Sequence, residues 1–232
     1  MTANICLGCY SAIMDRSEFG QLQQRIKDLL INSPADASIV ATSGDDTVFL
    51  KTGESAGSNV VYEVASITKV FTSLLLVLLE LDGVVDRKQA ISQIWDIEFS
   101  DSKVGAITLE ELALHTSGLP RLPHGFTPKD PSRPYRDFKE ADLKSFLTSH
   151  TLDSEQKGKV EYSNIGYGLL GHLLAIASGT NYQTLLASYI TDPLSMSDTH
   201  VNLPESQLKT VQGFASNNKP TPNLHQTGKC HL

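Results

Sequence analysis

The sequence predicts an α+β fold, a helical region attached to a piece of antiparallel sheet. Three observations predict it. After one opening helical run come two short strand-like runs, then mostly helical runs, and the two kinds do not alternate as they do in a βαβ protein. The 232 residues are 40% apolar, enough for a real core, and 19% charged, low for a disordered chain.

Ser17 to Ile31 opens the series, with Phe19, Leu22, Ile26, Leu29 and Leu30 on a helical stripe. Pro34 follows, as expected beyond a helix end. Ser38 to Thr42 and Thr47 to Lys51 read as two strands around Ser43-Gly44-Asp45-Asp46, a hairpin signal. Ser66 to Leu81 reads as a long helix, apolar nearly all round and so buried, with Gly83 as its stop. Thr108 and Glu111 have capping-box spacing and open a short helix to Leu114. Leu119 to Tyr135 is rich in Pro and Arg and reads as an exposed loop. Ala141 to Thr148, Ile165 to Ala177 (stopped by Gly179) and Tyr182 to Ile190 complete the helices. From Pro204 the chain is polar without a clear period. The expected organisation is one domain over residues 1–203 and a polar tail over 204–232.

Composition excludes some functions. A net charge of −7 without a Lys/Arg cluster argues against nucleic-acid binding. Val70 to Leu81 is too short to span a bilayer and contains Thr72, Ser73 and Glu80. Met1 to Met14 has no Lys or Arg ahead of its apolar run, so no export signal is read and a cytoplasmic site is the default. Cys6 and Cys9 form a C-x-x-C with no strand before it, and His225, Cys230 and His231 are the nearest further ligand types. Free thiols at a chain terminus are the expectation, with no metal and no organic cofactor.

Two short motifs carry the chemistry. Ser66-Ile67-Thr68-Lys69 is an S-x-x-K, and on a helix residues three apart share a face. An amine can then reach a hydroxyl that is a poor nucleophile until a base takes its proton. Alone, the motif better describes a surface lysine one turn from an N-cap serine. Tyr162-Ser163-Asn164 stands just ahead of the helix from Ile165. A phenol near cations can move a proton to a leaving group, and the Asn164 amide offers both a donor and an acceptor. Alone, it better describes a core tyrosine before an ordinary helix cap.

Read with their surroundings, these motifs resemble the serine β-lactamase and transpeptidase-like family, which includes class C β-lactamases, DD-peptidases and related esterases. Tyr62 to Lys69 looks like that family's nucleophile segment. Ile107 to Pro120 is similar to its "T-x-x-x-L-L-x-H-T-S-G-L" stretch, and Tyr162 to Gly171 to its second motif and the helix behind it. Asp192 to Thr199 resembles its "P-L-G-M-x-x-T" segment, with Ser195 in place of glycine. The resemblance implies an acyl-enzyme formed through Ser66 on an amide, ester or β-lactam carbonyl of a small-molecule or peptide substrate. It implies that Lys69 helps deprotonate Ser66, that Tyr162 acts as base and then acid, and that Asn164 contacts substrate. The Ser66 N–H would form half of the oxyanion hole, and His115 is structural.

The family's third motif, K-T-G or H-x-G on a downstream strand, is not met before Leu232. Lys51-Thr52-Gly53 spells it ahead of the nucleophile, and Gln226-Thr227-Gly228 comes close but too soon. The expectation is therefore an incomplete sheet in a C-terminally truncated or altered chain, with Phe71, Leu74, Leu75 and Leu78 facing water. Two rivals follow: a non-catalytic fragment or pseudoenzyme that binds a ligand, and a Ser-His-Asp esterase using His115 or His124.

Overall fold

A computed structural model of the chain describes residues 16–30, 37–43, 46–52, 60–129, 135, 137–201, 213–214 and 220–221. The cysteines, Gly53, His225, His231 and the Gln226-Thr227-Gly228 stretch lie outside the described residues. The described residues fall into two compact units, one within residues 1–62 and 208–220 and one within 63–207 and 221–232.

The first unit holds helix α1 (Arg16–Leu30) and a hairpin of β1 (Ala37–Ser43) and β2 (Asp46–Thr52). The ladder is antiparallel from Ala37 opposite Thr52 to Ser43 opposite Asp46. Val40 pairs with Phe49, and both are exposed on the same face. The Tyr62 hydroxyl donates to Ser38 Oγ at 2.6 Å. Two further two-residue strands, β3 (Gly213–Phe214) and β4 (Pro220–Thr221), pair with each other in the stretch read as a polar tail. Runs this short leave no alternation to read.

The second unit is helical. A 3₁₀ turn at Ala65–Ile67 leads into α2 (Thr68–Leu81). Then come α3 (Ser102–Gly105), α4 (Leu109–Ala113), α5 (Glu140–Ser149), α6 (Asn164–Ala177) and α7 (Tyr182–Leu186), which runs on into a π-turn at Ala187–Thr191. The predicted Thr108 capping box is present: Glu111 N–H donates to Thr108 Oγ1 at 3.2 Å, and Thr108 N–H to Glu111 Oε2 at 2.9 Å. The core is built mainly of leucines. Leu75 and Leu79 of α2 and Leu169, Leu170, Leu173 and Leu174 of α6 are fully buried. Tyr182 ties α2 to α6. Its hydroxyl pairs with Thr72 Oγ1 at 2.7 Å, and its ring packs so close to Gly171 that a Cβ there would stand only 3.3 Å from it.

α2 is not buried all round, and this corrects the sequence reading. Its buried face is Thr72, Leu75, Leu76 and Leu79, an i, i+3, i+4, i+7 stripe, and the helix packs on α6, α7 and the π-turn. Leu75 is therefore wholly buried, and Phe71 and Leu78 are half-buried against the core. The exposed apolar residues are Val70, Leu74, Val77 and Leu81, on the opposite face.

Helical segments in this unit end in a common way. After α2, Val84 N–H reaches Leu79 O at 2.9 Å and Gly83 N–H reaches Glu80 O at 3.0 Å, the Schellman pattern, with Gly83 at φ 72°. The same pair of bonds closes α4 at His115 (φ 59°) and the stretch before Met196 at Ser195 (φ 55°). An L-residue pays about 1–2 kcal/mol for a left-handed conformation. Ser195→Gly should therefore raise the unfolding free energy by about 0.5–1 kcal/mol, part of the relief being offset by the entropy of glycine in the unfolded chain. Urea denaturation of the two proteins measures the difference, and a loss of stability would contradict it.

Candidate active site

Ser66 stands on the 3₁₀ turn, not on the α-helix proper. Ala65, directly before it, has φ 45°, so the chain enters the turn through a strained residue. In a 3₁₀ turn residues three apart eclipse. Lys69, one residue into α2, therefore still faces Ser66, with Nζ 3.4 Å from Ser66 Oγ. The Ser66 side chain is exposed and open to a substrate.

Tyr162 comes from the segment before α6. Its hydroxyl is 2.6 Å from Ser66 Oγ, although the two residues are 96 apart in sequence. Ser163 caps α6, accepting from Gly166 N–H at 2.9 Å and donating to Pro120 O at 2.7 Å. Lys69 Nζ donates to Asn164 Oδ1 at 2.9 Å, and Asn164 Nδ2 donates to Tyr135 OH at 3.2 Å. Both ends of the Asn164 amide thus have partners within the chain. Ser66, Lys69, Tyr162 and Asn164, the four residues singled out from sequence, form one hydrogen-bonded cluster.

The cluster is electropositive. Lys69 Nζ lies 4.7 Å from the Tyr162 ring centroid and 5.6 Å from that of Tyr167. The Arg121 guanidinium lies 5.4 Å from the Tyr162 centroid. The Tyr162 phenol is held below the usual tyrosine range, first by its hydrogen bond with Lys69, then by that with Ser66, with the charges of Lys69 and Arg121 adding to them.

His115 packs against the site as a wedge. Its ring stands 4.7 Å from Tyr162 and 4.8 Å from Tyr167, and its Nδ1 accepts the Ser163 N–H at 3.0 Å. Desolvation and the nearby Lys69 charge lower its pKa, keeping it neutral. His124 stacks on His150 at 6.0 Å. Among the described residues neither histidine hydrogen-bonds Ser66, so the geometry gives no Ser-His pair. Arg121 and Tyr135 reach the site from the loop that reads only as exposed in sequence. The single available signal was the clustering of Arg and aromatic residues there.

No group of three or more His, Cys, Asp or Glu among the described residues could hold a metal ion. No described helix is long and apolar enough to cross a membrane.

The fold is that of the class C β-lactamases. A class C β-lactamase solved in complex with cefoxitin superposes with a TM-score of 0.69 at 19% identity, over 91% of this chain and 60% of the other. The sequence profile of the Beta-lactamase family matches residues 23–227, and the chain belongs to that family. A β-lactamase of Providencia stuartii is 25% identical over 90% of this chain and 55% of its own length. The D-alanyl-D-alanine-carboxypeptidase/endopeptidase AmpH of Escherichia coli is 34% identical over 70% of this chain and 44% of its own. The chain thus spans about half the length of these curated relatives.

Proposed function

We propose that the protein is a serine hydrolase that forms an acyl-enzyme through Ser66 on an amide, ester or β-lactam carbonyl. The observation that carries this reading is the 2.6 Å contact between Ser66 Oγ and the hydroxyl of Tyr162, whose ring lies near two cations. In the first step the Tyr162 phenolate takes the Ser66 proton as Oγ bonds to the carbonyl carbon. The carbonyl π electrons move to the oxygen, which the Ser66 N–H stabilises. The tetrahedral centre then collapses, the bond to the leaving group breaks, and Tyr162 returns its proton to that group. Water, deprotonated by the same phenolate, adds to the acyl ester, and Tyr162 returns that proton to Ser66 Oγ as the ester bond breaks and the acid is released. Lys69, donating to Ser66 and Asn164, helps deprotonate Ser66 by stabilising the negative charge that develops on Oγ. Asn164 contacts the substrate's amide on exchanging one of its present partners. No metal or organic cofactor takes part in these steps.

The base works as phenolate, so acylation rises with pH as Tyr162 ionises. Because its pKa is lowered, the rise falls below the usual tyrosine range. The names of the two curated relatives put β-lactams and peptides first among the substrates to test. With a chromogenic ester or β-lactam, the expected result is a burst of product stoichiometric with enzyme, then slower release, both lost in Ser66→Ala. Equal turnover by Ser66→Ala would reject the nucleophile. Saturable binding with no product would instead favour a non-catalytic binding protein.

A further inference from the structure

Arg121 is an exposed side chain on a fixed backbone. Its carbonyl accepts the N–H groups of Asn164 at 3.1 Å and Ile165 at 3.4 Å, and the preceding Pro120 carbonyl accepts from Ser163 Oγ. Three bonds thus stitch this stretch of loop to the start of α6, which Tyr162 immediately precedes. Among the described residues Arg121 forms no ion pair, and its one charged-group contact is with the Tyr162 ring.

The groups facing Tyr162 come from every neighbouring element. Lys69 reaches it from α2, the Ser66 hydroxyl from the 3₁₀ turn, and the neutral His115 ring from the end of α4. Tyr167 stands beyond His115 on α6, its hydroxyl donating to Ala113 O at 2.7 Å. Neither Lys69 nor Arg121 is paired with a carboxylate among the described residues. The Lys69 amine donates to Ser66 and Asn164 as well as lying against Tyr162, so its charge is divided among several partners. A guanidinium is different, because it stays charged at any working pH.

We propose that Arg121 is a positioning residue that holds a fixed positive charge on Tyr162 beside that of Lys69, keeping the phenol ready to accept the Ser66 proton. This rests on the reading of Tyr162 as the base. The lowered Tyr162 pKa, to which Lys69 contributes most and Arg121 adds, agrees with it.

The test is a titration of the chain labelled with ¹³Cζ-tyrosine, followed by NMR. The Tyr162 signal is the one missing from Tyr162→Phe. The Tyr162 midpoint should move to higher pH in Arg121→Gln and in Arg121→Met, and stay at the wild-type position in Arg121→Lys. The signal of Tyr182, buried in the core, should be unchanged in all of them and so report an intact fold. Identical midpoints in wild type and Arg121→Gln would overturn the proposal. So would an equal rise in Arg121→Lys, which would mean that guanidinium shape matters and charge does not. The titration needs no turnover, so a failure of Ser66 to acylate would defeat the hydrolase reading and leave this result standing by itself.

Discussion

Lys69→Met and Tyr162→Phe should each slow covalent modification of Ser66 by a fluorophosphonate by about 10²–10⁴-fold, the range for losing a positioned proton-transfer group. Lys69 donates to both Ser66 and Asn164, so its loss removes two of the contacts that hold the cluster together. Tyr162→Phe keeps a ring of the same shape against His115 but removes the oxygen 2.6 Å from Ser66. Tyr162 is 38% exposed, so its unfolding transition should barely change. The double variant should be little worse than either single one, because groups that act as a unit are not additive. His115→Ala behaves differently. It removes the acceptor for the Ser163 N–H and a wedge between two tyrosines, so it should lower stability more than it slows labelling. Pseudo-first-order labelling rates give the comparison, and a wild-type rate in Lys69→Met would contradict it.

The second large effect concerns the core that aligns the two motifs. Lys69 is carried by α2 and Asn164 by α6, and these helices pack through Leu75, Leu79 and the leucines of α6. Leu75→Ala should cost about 2–5 kcal/mol of stability, by lost transfer energy plus the cavity left behind. Val77→Ala, two residues on but 49% exposed, should stay within about 0.5 kcal/mol. If the packing holds the cluster in register, Leu75→Ala should also slow Ser66 labelling under conditions where the protein is still folded. Denaturant titration followed by labelling at low denaturant checks both halves. A larger cost for Val77→Ala than for Leu75→Ala would mean that α2 is turned the other way, and equal costs would contradict the difference in burial.

What could be read from the sequence was local. The β1–β2 hairpin followed from two β-rich runs around Gly44-Asp45, the α4 start from Thr108 and Glu111, and the end of α2 from Gly83. Each is decided within a few residues. The α-helical start at Ser66 was misread because the left-handed Ala65 and the 3₁₀ turn depend on how the chain enters the site, which no period reveals. The buried face of α2 was misjudged because a helix apolar on most sides does not state which side meets α6. α3 is four residues long, too short for any periodicity. In the site, Ser66, Lys69, Tyr162 and Asn164 were legible because their spacing is motif-like. Arg121 and Tyr135 were not, since they reach the cluster from an irregular loop. What brings them in is a set of long-range bonds from that loop to α6, not a local pattern.

The most direct test of the central claim is the position of the acyl or phosphonyl group on the chain. The protein, treated with a fluorophosphonate or a β-lactam, is digested and mapped by mass spectrometry. The account predicts one adduct, on Ser66. An adduct on Ser117, or on another serine with Ser66 unmodified, would contradict it.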